Sequence, residues 1–317
     1  MIKSIQYLRG IAAVLVVLFH ASNALMTHFT QGAKNYFTWG EAGVDLFFII
    51  SGFIMVYITY NKDISFKNFF LKRIIRIYPV FWVYATIALI IFLINPNMIN
   101  RSTAMPTLIL PSYLLIPYTE FTNLVQVAWT LVYEVHFYLI FGLCLFFTNK
   151  FRYIAAGIFL SLLAISSLIN YDAYYLKFVS NPIILEFLLG MIVYFIIFRK
   201  STKDLIILTI LFLISLLTIY LNDQQAMRII KYGIPSFVFM LVVVYLDSIR
   251  MLGAGNSIFS KFLTLLGDSS YSLYLSHIFC IGVGALVLNK LHIINGITVQ
   301  PLIFVLTIGA IIWGYIS

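Results

Sequence analysis

His20 and Glu134 are ionisable side chains set inside long apolar runs, and Arg73 and Arg76 are guanidinium groups three residues apart in KRIIR (72–76). A neutral imidazole with one nitrogen held by a carboxylate can take a proton from a hydroxyl with the other. Two arginines at i and i+3 share a helix face and can clamp phosphate oxygens in bidentate fashion. A hydroxyl-activating base and a phosphate-binding pair are the parts of a group-transfer enzyme. Arg9 and His20, eleven residues apart in the first apolar run, place one group of each kind on a single helix.

Each residue also has a plainer reading. His20 can be a packed histidine bonded to a nearby carbonyl, and Glu134 a polar tie between helices. The arginine pair can be an anchor at the membrane surface. Asp45 suits an interfacial or capping position, and Glu186 and His277 complete the set of charges or imidazoles within apolar runs. Such groups are costly in hydrocarbon and are functional candidates by default. His28, His136 and His292 have weaker claims, and His136, two positions from Glu134, tends towards another helix face. Trp129, Tyr133 and Tyr138 are candidate pocket linings. Ser51 and Ser276 are the serines to consider as acyl carriers, although serines between membrane helices commonly hydrogen-bond across an interface. From these residues alone, a proton-coupled transporter or exporter of a lipid-linked sugar remains open beside the enzyme.

The helices that carry these groups can be read from composition. Of 317 residues 62% are hydrophobic and 10% charged, against about 25% charged in an ordinary soluble domain. The apolar residues fall in blocks near the length of a membrane-spanning helix. Ten helices are expected, at 8–27, 42–60, 78–95, 126–147, 153–169, 182–198, 205–221, 232–247, 269–288 and 299–316, forming one all-α domain over 1–317. With the N-terminus cytoplasmic, fourteen of the 20 Lys and Arg residues fall inside and six outside, the asymmetry that sets orientation. His20 then lies about 16 Å outward of Arg9, at a depth similar to Glu134, while Arg73 and Arg76 stand at the cytoplasmic start of the third span.

The first span lacks a cleavage site and reads as retained. The outer connection from Asn95 to Val125, with Pro96, Pro106, Pro111 and Pro117, reads as a re-entrant or interfacial cap. The net charge of +9 is dispersed over short loops, which argues against a nucleic-acid partner. Cys144 and Cys280 sit within apolar blocks and imply neither a disulfide framework nor a metal site. No convincing internal repeat marks two inverted transporter halves.

Five segments in order, LRGIAA with Phe19-His20, GVDLFFIISGF (43–53), KRIIRIYP (72–79), WTLVYEVHFY (129–138) and SYSLYLSH (270–277), resemble the bacterial integral-membrane acyltransferase-3 family that O-acetylates surface polysaccharides. The resemblance implies a bundle of about ten helices in the bacterial inner membrane. It implies cytoplasmic acyl-CoA, usually acetyl-CoA, as donor and a glycan or lipid-linked sugar as acceptor. It places His20 and Glu134 in catalysis and Arg9, Arg73 and Arg76 in donor binding. Composition shows no metal-ligand cluster, so a metal-independent reaction is expected. Members of the family continue into a short basic tail with a Glu-x-Pro element, where this sequence stops at Tyr315-Ile316-Ser317, as a shorter homologue or a truncated chain would.

Overall fold

The computed structural model describes residues 3–29, 37–99, 106–117, 123–148, 151–198, 201–222, 226–249, 257–291 and 299–317. Every element among them is helical. A 3-10 turn, Thr38–Glu41, links α1 (Lys3–Phe29) towards α2 (Ala42–Thr59). Then come α3 (Phe66–Ile94), α4 (Ile109–Leu114), α5 (Trp129–Cys144), α6 (Arg152–Ile165), α7 (Tyr174–Val179), α8 (Leu185–Phe198) and α9 (Thr202–Asn222). The short α10 (Ala226–Arg228) passes through a π-helical turn, Ile229–Gly233, into α11 (Ile234–Ser248), followed by α12 (Ile258–Lys290) and α13 (Val299–Ile316).

Among the described residues, seven helical stretches are long and apolar enough to cross a membrane, those built on α1, α2, α3, α5, α9, α11 and α12. Shorter apolar helices contain α6, α8 and α13. These are the ten segments expected from the sequence, and the fold is all-α and of the membrane-spanning type. Exposed rows of large apolar side chains, such as Val83, Ile87 and Ile90 on α3 and Ile206, Ile210 and Leu217 on α9, suit contact with lipid rather than water.

Two helices begin about three turns earlier than hydropathy suggests. Ser65 caps α3, its Oγ accepting from Asn68 N at 3.4 Å, and the helix runs through the basic segment 67–76. α12 begins at Ile258 rather than 269. Lysine and arginine lower hydropathy but are good helix formers, so the helix outlasts the apolar block. The connection after α3 folds back: Tyr78 Oη donates to Leu114 O at 2.9 Å and Trp82 Nε1 to Tyr113 O at 3.1 Å. α4 therefore lies beside the middle of a helix long enough to span, as a re-entrant segment would.

The chain forms two compact units, Met1–Phe47 with Val238–Ser317, and Phe48–Phe237. The first unit has a core of Ala13, Val17, Ala21 and Leu25 from α1, Leu273 and Ile281 from α12, and Leu302, Ile303, Leu306 and Ala310 from α13. A Cβ on Gly267 would stand 2.2 Å from Gln6 O, and one on Gly10 would stand 2.8 Å from Leu266 Cβ, so α1 and α12 meet almost backbone to backbone. Tyr7 meets Ser260 and His20 meets His277, which makes α1 and α12 parallel. Gly314 packs on Leu273 and Gly284 on Leu306, which makes α13 antiparallel to α12. Asp247 Oδ2 accepts from Ser4 N at 3.2 Å and from Ser4 Oγ at 2.8 Å. A carboxylate thus closes the amino end of α1, where the helix dipole favours negative charge.

The second unit is centred on α8, buried continuously from Leu185 to Phe195. Phe48 packs on Phe187 and Tyr57 on Phe198, so α2 and α8 run parallel. Phe66 reaches Phe146 and Phe69 reaches Phe141, so α3 and α5 run antiparallel. These directions, within each unit, are those of ten alternating spans. Arg152, expected as a loop charge, is 3% exposed, with Nη1 donating to Lys62 O at 3.2 Å. It ties the turn after α2 to the start of α6.

Candidate active site

In the first unit, α1 and α12 bring together two imidazoles. The rings of His20 and His277 meet edge to face, centroids 5.0 Å apart and planes at 85°. His277 is fully buried, with Nδ1 3.1 Å from Leu273 O one turn back along α12. His20 Nδ1 and His277 Nε2 are both buried without a hydrogen-bond partner among the described residues. Phe19 packs edge-on against His20 at 5.1 Å, and Tyr274 lies 5.9 Å from His277. Aromatic faces thus fix the ring positions while a ring nitrogen of each imidazole stays unsatisfied. Asp45 is fully buried in the first turn of α2. Arg9 donates from Nη1 to Gln6 Oε1 at 3.3 Å, one turn earlier on the same helix.

In the second unit, three helices build a polar chain. Ser51 Oγ on α2 donates to Glu134 Oε1 on α5 at 2.8 Å, and Tyr138 Oη, one turn further along α5, donates to the same oxygen. The Tyr138 ring in turn faces the Arg73 guanidinium, 5.9 Å from Cζ to centroid. Glu134 and Tyr138 are four apart and therefore share a helix face, and Arg73 reaches them because α3 runs antiparallel beside α5. Nε and Nη1 of Arg73 are buried without an acceptor among the described residues. Arg76, one turn on, is exposed. A guanidinium with unsatisfied buried N–H groups beside an exposed one is suited to an anionic group such as phosphate.

This placement differs from the sequence expectation that the arginine pair stands at a helix end, on the opposite side of the membrane from Glu134. Because α3 begins at Phe66, Arg73 lies two turns inside it, and a single tyrosine separates it from the carboxylate. Glu186 is fully buried in the first turn of α8. A Cβ on Gly233 would stand 3.2 Å from Glu186 Oε1, so the π-helical turn packs close against that carboxylate. His136 is bound through Nδ1 to Val132 O at 2.7 Å, within its own helix. The side chains of His28 and His292 lie outside the described residues. Sequence reasoning named His277 as an imidazole within an apolar run and Ser51 as a candidate acyl carrier, but paired neither with the partner the structure gives it. Nothing in local spacing pairs His277 with His20 or Ser51 with Glu134, because each pair comes from two different helices.

The same chain has recognisable relatives among known proteins. The acyltransferase-domain model of the acyltransferase-3 family matches residues 2–316. The exopolysaccharide production protein ExoZ of Rhizobium meliloti (strain 1021) is 31% identical over 279 residues, covering 85% of this chain and 83% of that protein. ORF330 of Acidianus two-tailed virus, named as a candidate acetyltransferase, is 26% identical over 288 residues, covering 86% of this chain and 82% of that protein. No solved structure matches. With a family model covering nearly its whole length and apolar helices throughout, the chain belongs to the acyltransferase-3 family and is a membrane O-acyltransferase.

Proposed function

We propose that the protein transfers an acetyl group from cytoplasmic acetyl-CoA to a hydroxyl of a cell-surface or lipid-linked glycan at the outer face of the bacterial inner membrane. The named roles of ExoZ in exopolysaccharide production and of ORF330 as an acetyltransferase support the acceptor class and the acyl group. The observation that carries the reading is the half-buried His20 imidazole, held in an apolar helix against a second imidazole. Such a group is expensive to maintain in a membrane helix unless it is used.

Bound acetyl-CoA supplies a thioester carbonyl. His20 takes the proton of the acceptor hydroxyl as the oxygen attacks that carbonyl, and the proton passes on to the departing thiolate. Glu134 is the second catalytic group, kept as an acceptor of hydroxyl donors by Ser51 and Tyr138. Arg73 and Arg76, with Arg9, bind the phosphates of the donor, and the orphaned N–H groups of Arg73 fit that anion. The N-terminus is cytoplasmic in this reading, as the distribution of basic residues suggests.

The test is acceptor-dependent CoA release by purified protein in nanodiscs, with mass spectrometry of the glycan from cells carrying or lacking the gene. A glycan gaining the mass of one acetyl group, and loss of turnover in folded His20→Ala, is expected. Full turnover in that variant, or an unchanged glycan, overturns the reading.

A further inference from the structure

We propose that His277 is a positioning residue for His20, its Nε2 accepting the proton on His20 Nδ1 so that His20 Nε2 is left as the base. The proposal rests on the reading of His20 as the base. Its foundation is hydrogen-bond accounting at the two rings. A backbone carbonyl can only accept, so the 3.1 Å contact between His277 Nδ1 and Leu273 O puts a proton on Nδ1. In a neutral imidazole the other nitrogen then carries a lone pair. That nitrogen, Nε2, is buried and has no donor among the described residues. Buried polar atoms without partners are rare and call for an explanation.

His20 supplies the complementary group. A base acting through Nε2 must hold its proton on Nδ1, and His20 Nδ1 is also buried without a partner among the described residues. The centroids are 5.0 Å apart. A ring nitrogen stands about 1 Å from its centroid, so facing nitrogens at this separation are about 3 Å apart, a hydrogen-bond distance. In the observed edge-to-face packing the two nitrogens are not bonded; the movement required is a turn of the His20 ring about its side-chain bonds, with His277 kept on Leu273 O. His277 and His136 both place Nδ1 on a carbonyl one turn back; what the proposal explains is the second nitrogen of His277, buried without a partner among the described residues. Its ring packs against that of His20, whose Nδ1 is likewise buried without a partner among the described residues.

The experiment is nitrogen-15 NMR of histidine-labelled full-length protein in nanodiscs, paired with steady-state kinetics. The chain has five histidines, and the His20 signals are assigned by their loss in His20→Gln. His20 is expected to be the Nδ1-protonated tautomer in the wild type and to lose that preference in His277→Leu. The same variant should lower kcat by at least about tenfold while changing KM for acetyl-CoA less than about twofold. His277→Gln, which restores an acceptor oxygen, should recover both the tautomer and most of kcat. If His277→Leu does not fold, His277→Met removes the same acceptor and replaces it in both measurements. An unchanged His20 tautomer, or a glutamine variant as impaired as the apolar one, overturns the proposal. Activity retained in His20→Ala would instead overturn the reading of His20 as base, and the tautomer measurement would still decide whether the two rings are coupled.

Discussion

His20 and His277 each lie ten residues beyond a glycine, Gly10 and Gly267, at which the backbones of α1 and α12 are in tight contact, and their rings meet 5.0 Å apart. Parallel helices advance equally, about 15 Å over ten residues, so residues that are level at the glycines are level again at the imidazoles. Small residues at the crossing let the backbones close, as in other membrane helix pairs, and the histidines meet as a consequence.

Gly267→Ala is expected to destabilise the first unit, since its Cβ would lie 2.2 Å from Gln6 O and backbone must move. Gly52→Ala and Gly190→Ala should do the same in the second unit, where the added atom would lie 2.0 Å from Phe187 O and 1.9 Å from Ile49 O. Losses of about 1–3 kcal/mol each are expected, read as a lower melting temperature in detergent. Gly282→Ala is the control: a Cβ there meets nothing within 4 Å, so melting should hold or rise slightly with the better helix former.

Arg73→Lys keeps the charge but loses the planar fork of donors. With Nε and Nη1 of Arg73 buried and without an acceptor among the described residues, the proposed donor-binding role predicts that the lysine variant raises KM for acetyl-CoA by about tenfold, and Arg73→Ala by more, with the protein still folded. Isothermal titration with a non-hydrolysable CoA analogue checks the binding component directly.

Tyr138→Phe removes one of the two hydroxyls donating to Glu134 Oε1 and leaves the ring that faces Arg73. A loss of about 1 kcal/mol or slightly more in stability is expected, together with a fall in kcat. Glu134→Gln should lower kcat further than Tyr138→Phe, because it removes the charge itself. Thermal melts and turnover on the same preparations separate the two effects.

Ser51 donates to Glu134, which would also suit a serine made ready for attack. Direct transfer makes a different prediction: no protein-bound acyl group after rapid mixing with labelled acetyl-CoA, and Ser51→Ala retaining at least about a tenth of wild-type kcat, the scale of one lost hydrogen bond. A labelled acyl-enzyme that disappears in Ser51→Ala would establish the covalent route instead.

The helices and their alternating directions were legible because hydrophobic blocks of spanning length are a composition signal. His20 and Glu134 stood out as candidates for the same reason, as polar side chains against an apolar background. Positions set by helix pairing were not legible. Arg73 read as a membrane-edge residue because hydropathy stops where charge begins, whereas the backbone of α3 continues to the cap at Ser65. Ser51, Tyr138 and Arg73 converge near Glu134 from three helices, and no local period encodes that meeting. Arg152 read as a loop anchor for similar reasons, since a buried bond to the Lys62 carbonyl has no sequence signature.

The matched interval from glycine to imidazole on α1 and α12 turns chain length itself into a constraint. Each inserted residue rotates the remainder of a helix by about 100°, so one extra alanine between Gly10 and His20 would swing the imidazole towards a different neighbour while leaving every side chain in the segment chemically intact. Composition of that stretch can drift among apolar residues, but its count cannot. A deletion there should be as damaging as loss of the histidine.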